Sequence, residues 1–350
     1  MRAAWRGSER EDDPVWMPVR TWVRRVCYVS VITAASVVAT AQPASAHGSA
    51  GQAATNWRSD VTGFTLPDPG AKAVTTDLGD HIQVTADGTR QIIVFGYNQE
   101  PYLKFDTQGV SINSRSPAGF LNRSATASKK VPSRFDTKVA PEWRKLSAGH
   151  TYRWHDHRIH RGPGGAARPW TIPISVDGVA ATINGQLVYI AADTPTAALL
   201  VGVLALGIFV AFAMLRPRAM TIVSGLVVLA CSGAILVSQH QASTEPWKQQ
   251  LGATLYSLGT MLSAGAIVVV ALGHRRSLTA PVELLAGVAI LVCGGFARID
   301  WLTHSQLPSS MSFGFATTFV ILPSVIATIL AVLAIIDLMK PANVARPSRA

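Results

Sequence analysis

Two patterns of apolar residues divide the chain. From residue 196 onward they come in long blocks, at 196–215, 220–238, 254–273, 281–297 and 316–339. An α-helix needs roughly 20 apolar residues to cross about 30 Å of hydrocarbon, so each block is predicted to be a membrane span. The fourth is the shortest and carries Glu283 near its start. Small residues recur inside the blocks, among them Gly202, Gly225, Ser232, Gly259 and Gly287. They let membrane helices approach closely and predict a compact five-helix bundle.

Before residue 196 the apolar runs are short and alternate with polar positions. Candidate strands are 81–86, 91–97, 102–106, 109–113, 150–157, 171–177 and 185–191. Asp-Gly pairs at 87–88 and 177–178 and Gly/Pro clusters at 67–70 and 162–169 separate them. Short strands at this spacing predict an all-β sandwich, immunoglobulin-like or cupredoxin-like. The stretch 114–149, rich in Ser, Asn, Lys and Pro, reads as a long ordered loop.

The amino terminus adds a third part. A basic stretch, an apolar run from Val26 to about Ala41 and the small-x-small ending Ala44-Ser45-Ala46 form a secretory signal pattern. Met17 is an alternative start that would give a signal of ordinary length. The expected organisation is 1–46 cytoplasmic extension and signal peptide, 47–195 external β-sandwich, 196–340 transmembrane domain and 341–350 cytoplasmic tail.

Charge sets the orientation. Arg216 and Arg218 follow the first span, His274, Arg275 and Arg276 the third, and Lys340, Arg346 and Arg349 the fifth. Loops 239–253 and 298–313 carry one basic residue each, Lys248 and Arg298. The positive-inside rule then puts the basic ends in the cytoplasm and the β domain outside, in agreement with the signal. The expected location is the plasma membrane, multi-pass, with the bilayer as the first partner. The net charge of +11 is mostly topology signal. Residues 47–195 hold 16 Lys and Arg against 12 Asp and Glu, which does not point to nucleic acid. The three cysteines, Cys27, Cys231 and Cys293, all lie in apolar runs, so the β domain is expected to hold no disulfide.

The chemistry concentrates in HTYRWHDHRIHRG, residues 150–162, which holds four of the nine histidines. On a strand, Tyr152, Trp154 and Asp156 share one face, and Arg153, His155 and His157 the other. His155 and His157 at this spacing can reach one metal ion, and His160 can join from the following turn; copper, nickel or zinc accept imidazole. Cleavage after Ala46 would expose His47, whose α-amine and imidazole suit copper; the other reading is that His47 simply begins a disordered terminal arm. Two other readings stay open. One is a structural corner in which the histidines and Asp156 bond with Arg153, Arg158 and Arg161. The other is an anion or partner site, because three arginines disfavour a dication and favour a carboxylate.

Elsewhere the sequence offers little chemistry. There is no nucleophile elbow, phosphate loop or dinucleotide fingerprint, and Glu100, Asp106 and Glu142 are scattered. The spans show no string of buried acids or lysines, which ranks transport last. Asp300, His304 and His240 are expected at the outer face and Asp337 near the inner end of the last span.

The segments EPYLKFDTQGVSINSRSPAGFLN, PEWRKLSAGHTYRWHDHRIH and WTIPISVDG, with this topology, resemble a family of actinobacterial membrane proteins of uncharacterised function. The resemblance covers most of residues 55–340 and implies a signal peptide, an external β domain and a helical bundle, with no activity attached. It also leads one to expect a Trp-Met-like pair after the last histidine. Arg161-Gly162 stands there instead, which removes a methionine ligand at that position. In architecture alone, a signal ending before a histidine and a sandwich joined to spans resemble bacterial copper-resistance proteins. The expected role is non-catalytic handling of copper through His155, His157 and His160, with His47. The alternative is a structural or partner-binding module that docks an envelope protein or lipid through its basic loop.

Overall fold

The computed structural model describes residues 53–122, 130–160, 166–215, 217–244, 250–273 and 276–340. The signal segment, His47, Arg161 and the tail 341–350 lie outside the described residues.

Ten strands build the amino-terminal domain: β1 Trp57–Phe64, β2 Ala71–Thr76, β3 His81–Ala86, β4 Ile92–Phe95, β5 Pro101–Asp106, β6 Gly109–Asn113, β7 Trp143–Ser147, β8 Thr151–His155, β9 Arg168–Val176 and β10 Val179–Tyr189. All pair antiparallel, in a seven-stranded sheet β1-β10-β9-β4-β5-β6-β7 and a three-stranded sheet β2-β3-β8. The two pack face to face, as the alternation predicts. Ile82, Val84 and Trp154 of the small sheet are buried in one core with Val94, Leu103, Phe105, Ile172 and Ile183 of the large one. The all-β sandwich followed by five helices is the expected architecture.

Three strands escape the sequence pattern for stated reasons. In β2 the inward positions of AKAVTT include alanines, and no residue there is fully buried. β1 is interrupted by a bulge between Val61 and Gly63, which breaks its alternation. β7 lies inside the segment expected to be a loop; WRKLS is a sheet edge whose exposed Arg144 and Lys145 hide the apolar signal. The loop expectation for 114–149 is therefore corrected. It contains β7 and a short helix, α1, Pro117–Leu121. Buried Glu100 holds that helix by accepting from Ser116 Oγ at 2.8 Å and the Ala118 amide at 3.2 Å.

The carboxy-terminal domain is helical. α2 spans Thr196–Leu215, α3 Pro217–Ala242, α4 Leu251–Leu272, α5 Arg276–Ile290 and α6 Phe313–Met339. α5 continues through a π-helical turn, Leu291–Gly295, into a 3-10 segment, Phe296–Leu302. Five helices are long and apolar enough to cross a membrane, so the chain is a multi-pass membrane protein. Large apolar side chains such as Leu200, Val203, Leu262 and Val269 face outward, as lipid contact requires. Close helix approach falls at small residues: a Cβ on Gly287 would lie 2.9 Å from the Ala327 carbonyl.

The fourth span runs Leu278–Leu302, longer than the apolar run 281–297. This corrects the placing of Arg298 in a loop. The residue is 3% exposed and donates to the Cys293 carbonyl at 2.8 Å, Ser257 Oγ at 2.6 Å and Gln239 Oε1 at 3.2 Å. Glu283 accepts from Thr221 Oγ1 at 2.8 Å, across to α3.

The sandwich docks on the loop ends of the bundle. Thr55 and Gln306 exchange two backbone bonds at 2.9 and 2.8 Å, and Asp300 Oδ2 accepts from the Ala54 amide at 3.1 Å. The second anchor is Asp77, which accepts from the Thr244 amide at 3.0 Å and Thr244 Oγ1 at 2.8 Å. The helices alternate in direction, so Arg218 and Lys340 stand at the end away from the sandwich. Arg218 there donates to the Ala271 and Leu272 carbonyls at 2.9 and 3.0 Å.

Candidate metal centre

β8 runs beside β3 at the edge of the small sheet, and His155, its last residue, is the register partner of His81, the first residue of β3. Trp154 points into the core at 4% exposure and His155 to the other side, as alternation requires. The strand stops there because Asp156 turns inward. It is fully buried, accepts from Trp154 Nε1 at 3.0 Å and from the Arg158 amide at 3.0 Å, and begins a turn over His157–Ile159.

The turn carries His157 and His160 back over His155. Ring centroids are 4.6 Å apart for His155 and His157, 4.8 Å for His155 and His160, and 5.2 Å for His157 and His160. His155 Nε2 and His160 Nε2 are 3.2 Å apart. One nitrogen from each of the three lies within 4.8 Å of the others. Two imidazoles on one tetrahedral ion, with metal–nitrogen bonds of about 2.0–2.1 Å, hold their nitrogens about 3.3 Å apart. The donor set therefore fits a borderline transition metal. His157 and His155 meet through the turn rather than as a strand pair.

The fourth histidine of the stretch lies elsewhere. His150 precedes β8 at the opposite end from His155, and its ring packs on Gly88, where a Cβ would lie 2.8 Å from it. Gly88 also has φ of +79°, so both space and backbone require glycine there. Neither His240, in the last turn of α3, nor His304, whose Nδ1 lies 2.8 Å from the Asp300 carbonyl, joins the cluster.

Asp156 orients no ligand in this cluster, because its carboxylate is already engaged. Asp156 is taken by Arg158 in a two-pronged pair at 2.9 and 2.7 Å. Burial raises the Asp156 carboxyl, but the Arg158 pair and the Trp154 bond outweigh it and hold it below the usual range. The orienting residue is Asp80, whose Oδ1 lies 3.1 Å from His155 Nδ1. A proton held there leaves Nε2 basic, the arrangement in which carboxylate-supported imidazoles bind metals. Burial raises Asp80 and lowers His155. Their mutual bond and attraction outweigh it, so Asp80 is shifted down and His155 up.

The arginines also read differently. Arg153 pairs with buried Asp77 and also donates to Thr244 Oγ1 at 2.8 Å; Arg158 is paired with Asp156 and stacks over Tyr97 at 5.0 Å. Their charges are answered locally, which lowers the electrostatic objection to a cation. Tyr97 Oη accepts from the His157 amide at 3.0 Å and donates to Asn122 Oδ1. Burial, then Asp156, pushes its phenol far up, so it is a positioning group and not an anionic ligand. His157 Nε2 lies 3.4 Å from the Leu121 carbonyl; a proton there leaves Nδ1 as the basic nitrogen.

Asp80 and His81 were not singled out from sequence. The only signal was their place at the head of a predicted strand. That β3 lies beside β8 is a tertiary fact. No family model, curated protein or solved structure matches the chain.

Proposed function

We propose that this membrane protein carries its β domain outside the cytoplasm and binds a transition-metal ion there, copper(II) first, through His155, His157 and His160. The observation that carries the reading is the 3.2 Å approach of His155 Nε2 to His160 Nε2, with Asp80 behind His155 on its other nitrogen. Imidazole nitrogen selects copper, nickel or zinc over calcium and magnesium. The role is non-catalytic binding, with His155 oriented by Asp80 and His157 by Tyr97 and Leu121.

The test is copper(II) titration of the full-length, metal-depleted protein in detergent, beside His160→Ala and His155→Ala/His157→Ala. Tight binding lost in both variants supports the reading. Binding equal to that of the variants overturns it and leaves the cluster as a structural corner. The outward orientation rests on Arg218 and Lys340 at the end away from the sandwich. Cysteine placed at exposed Val179, on β10, should react with an impermeant maleimide in intact cells. Labelling only after lysis would reverse the topology.

A further inference from the structure

His155 has a second neighbourhood. Its Nε2 lies 3.2 Å from His160 Nε2, while its Nδ1 lies 3.1 Å from Asp80 Oδ1. One ligand atom each from Asp80, His81 and His155 lies within 4.8 Å of the others. The two clusters share one residue, and it offers a different nitrogen to each.

The geometry is built by the fold rather than by side-chain chance. His81 and His155 are directly opposed across the β3–β8 ladder, with ring centroids 5.7 Å apart at 72°. Directly opposed residues on one face are the closest side-chain neighbours a sheet provides. Asp80 is brought in by a turn in which Asp77 and Leu78, at φ of +53° and +55°, both take the left-handed backbone that side chains disfavour. That turn is held at one end by β3 and at the other by Asp77, through Arg153 and Thr244. His81 Nδ1 lies 3.4 Å from Asp80 Oδ2 and 3.6 Å from Asp77 Oδ2, so Asp80 stands between the two imidazoles, with its Oδ1 on His155 Nδ1. The candidate donors grouped on the Nε2 side, among the described residues, are histidines. The two half-sites differ in kind, one all-nitrogen and one mixed nitrogen and oxygen.

We propose that the centre holds two metal ions bridged by the His155 imidazolate. His157, His160 and His155 Nε2 hold the first; His155 Nδ1, His81 and Asp80 hold the second. This rests on the reading of His155, His157 and His160 as a metal site. The second ion replaces the proton between His155 Nδ1 and Asp80, and that proton leaves to solvent. The 3.1 Å separation of Nδ1 and Asp80 Oδ1 is the spacing of two ligands on one ion, as the 3.2 Å separation is on the other side. The two ions stand on the order of 6 Å apart, one bond length beyond each nitrogen of a single ring.

The experiment uses the full-length, metal-depleted protein in detergent with copper(II) as probe, followed by metal analysis after gel filtration and by electron paramagnetic resonance. The expected result is two copper ions per chain, with the first giving a full signal. The second equivalent then quenches that signal, because an imidazolate couples the two spins. His81→Ala and the size-preserving His81→Gln should each bind one ion and keep the full mononuclear signal. One ion per chain in the wild type, unchanged in both His81 variants and lost in His160→Ala, overturns the bridge and leaves the single-ion reading intact. Two ions with no quenching also overturn the bridge. Binding that is absent throughout overturns both readings.

Discussion

Arg158 and Arg298 each carry a guanidinium out of water, one in the sandwich and one in the bundle. In the sandwich the charge is answered by charge: Arg158 is forked onto fully buried Asp156. In the bundle, no carboxylate lies within ion-pairing distance of Arg298 among the described residues. Its partners are a hydroxyl, an amide oxygen and a backbone carbonyl from the π turn, and among the described residues its Nε has none. The sandwich can bury an acid because turns bring amides and an indole to it as well. The bundle gathers neutral dipoles from three helices, and the π turn supplies a carbonyl beside the arginine. A paired charge makes a rigid corner, whereas an unpaired one ties helices together without fixing a partner charge.

Breaking the sandwich pair should have the largest effect. Asp156→Ala leaves Arg158 buried and unanswered and should cost about 3–5 kcal/mol, read as lost thermal stability of the β domain. Adding Arg158→Met should restore most of that; if the double variant is as unstable as the single, the pair is not the source of the loss. In the bundle, Arg298→Ala should cost less, about 2 kcal/mol, because only neutral acceptors are left unpaired. A cost equal to that of Asp156→Ala would erase the contrast. At the join between the two regions, Asp77→Ala frees Thr244 and Arg153 together. About 1–2 kcal/mol of docking should go, seen as faster hydrogen exchange in residues 77–81 and 240–244 with the strand core still protected.

The histidine corner gives a pH test in the metal-free protein. Asp80 is shifted down, so its contribution is present above the unfolded carboxyl value near 3.9 and is lost as pH falls through the lower folded value. His155 is shifted up, so its contribution is present below about 6.5 and is lost as pH rises through the higher folded value. The pair is therefore fully engaged near pH 5. Asp80→Asn should destabilise by about 1 kcal/mol there and by less at pH 8. A cost independent of pH would show that Asp80 acts through its turn and not through His155. The smallest effect is expected at Leu78. Replacing it by glycine relieves a left-handed backbone and should leave stability unchanged or raise it by about 0.5 kcal/mol, measured by thermal unfolding.

Legibility followed the strength of the local pattern. β3 and β6 occupy the ranges their alternation marked, 81–86 and 109–113, because each carries large apolar residues on one face. β2 and β7 were silent because a face of small alanines and a charged edge carry no strong alternation to read. The fourth span looked short because Arg298 ends the apolar run, and nothing local says that Ser257 and Gln239 wait for it on other helices. His155, His157 and His160 were visible as a cluster in sequence. Their mutual distances, the diversion of Asp156 to Arg158 and the entry of Asp80 and His81 were not.

By itself the sequence determined the division into a sandwich and five spans, since bilayer thickness and strand alternation act on local patterns of apolar residues. It also determined that four histidines lie in one short stretch. Only the tertiary structure decided which of them meet, which acid serves which base, and where the two regions join. Those outcomes depend on strand pairing and helix packing between residues tens to hundreds of positions apart, and no local pattern encodes that distance.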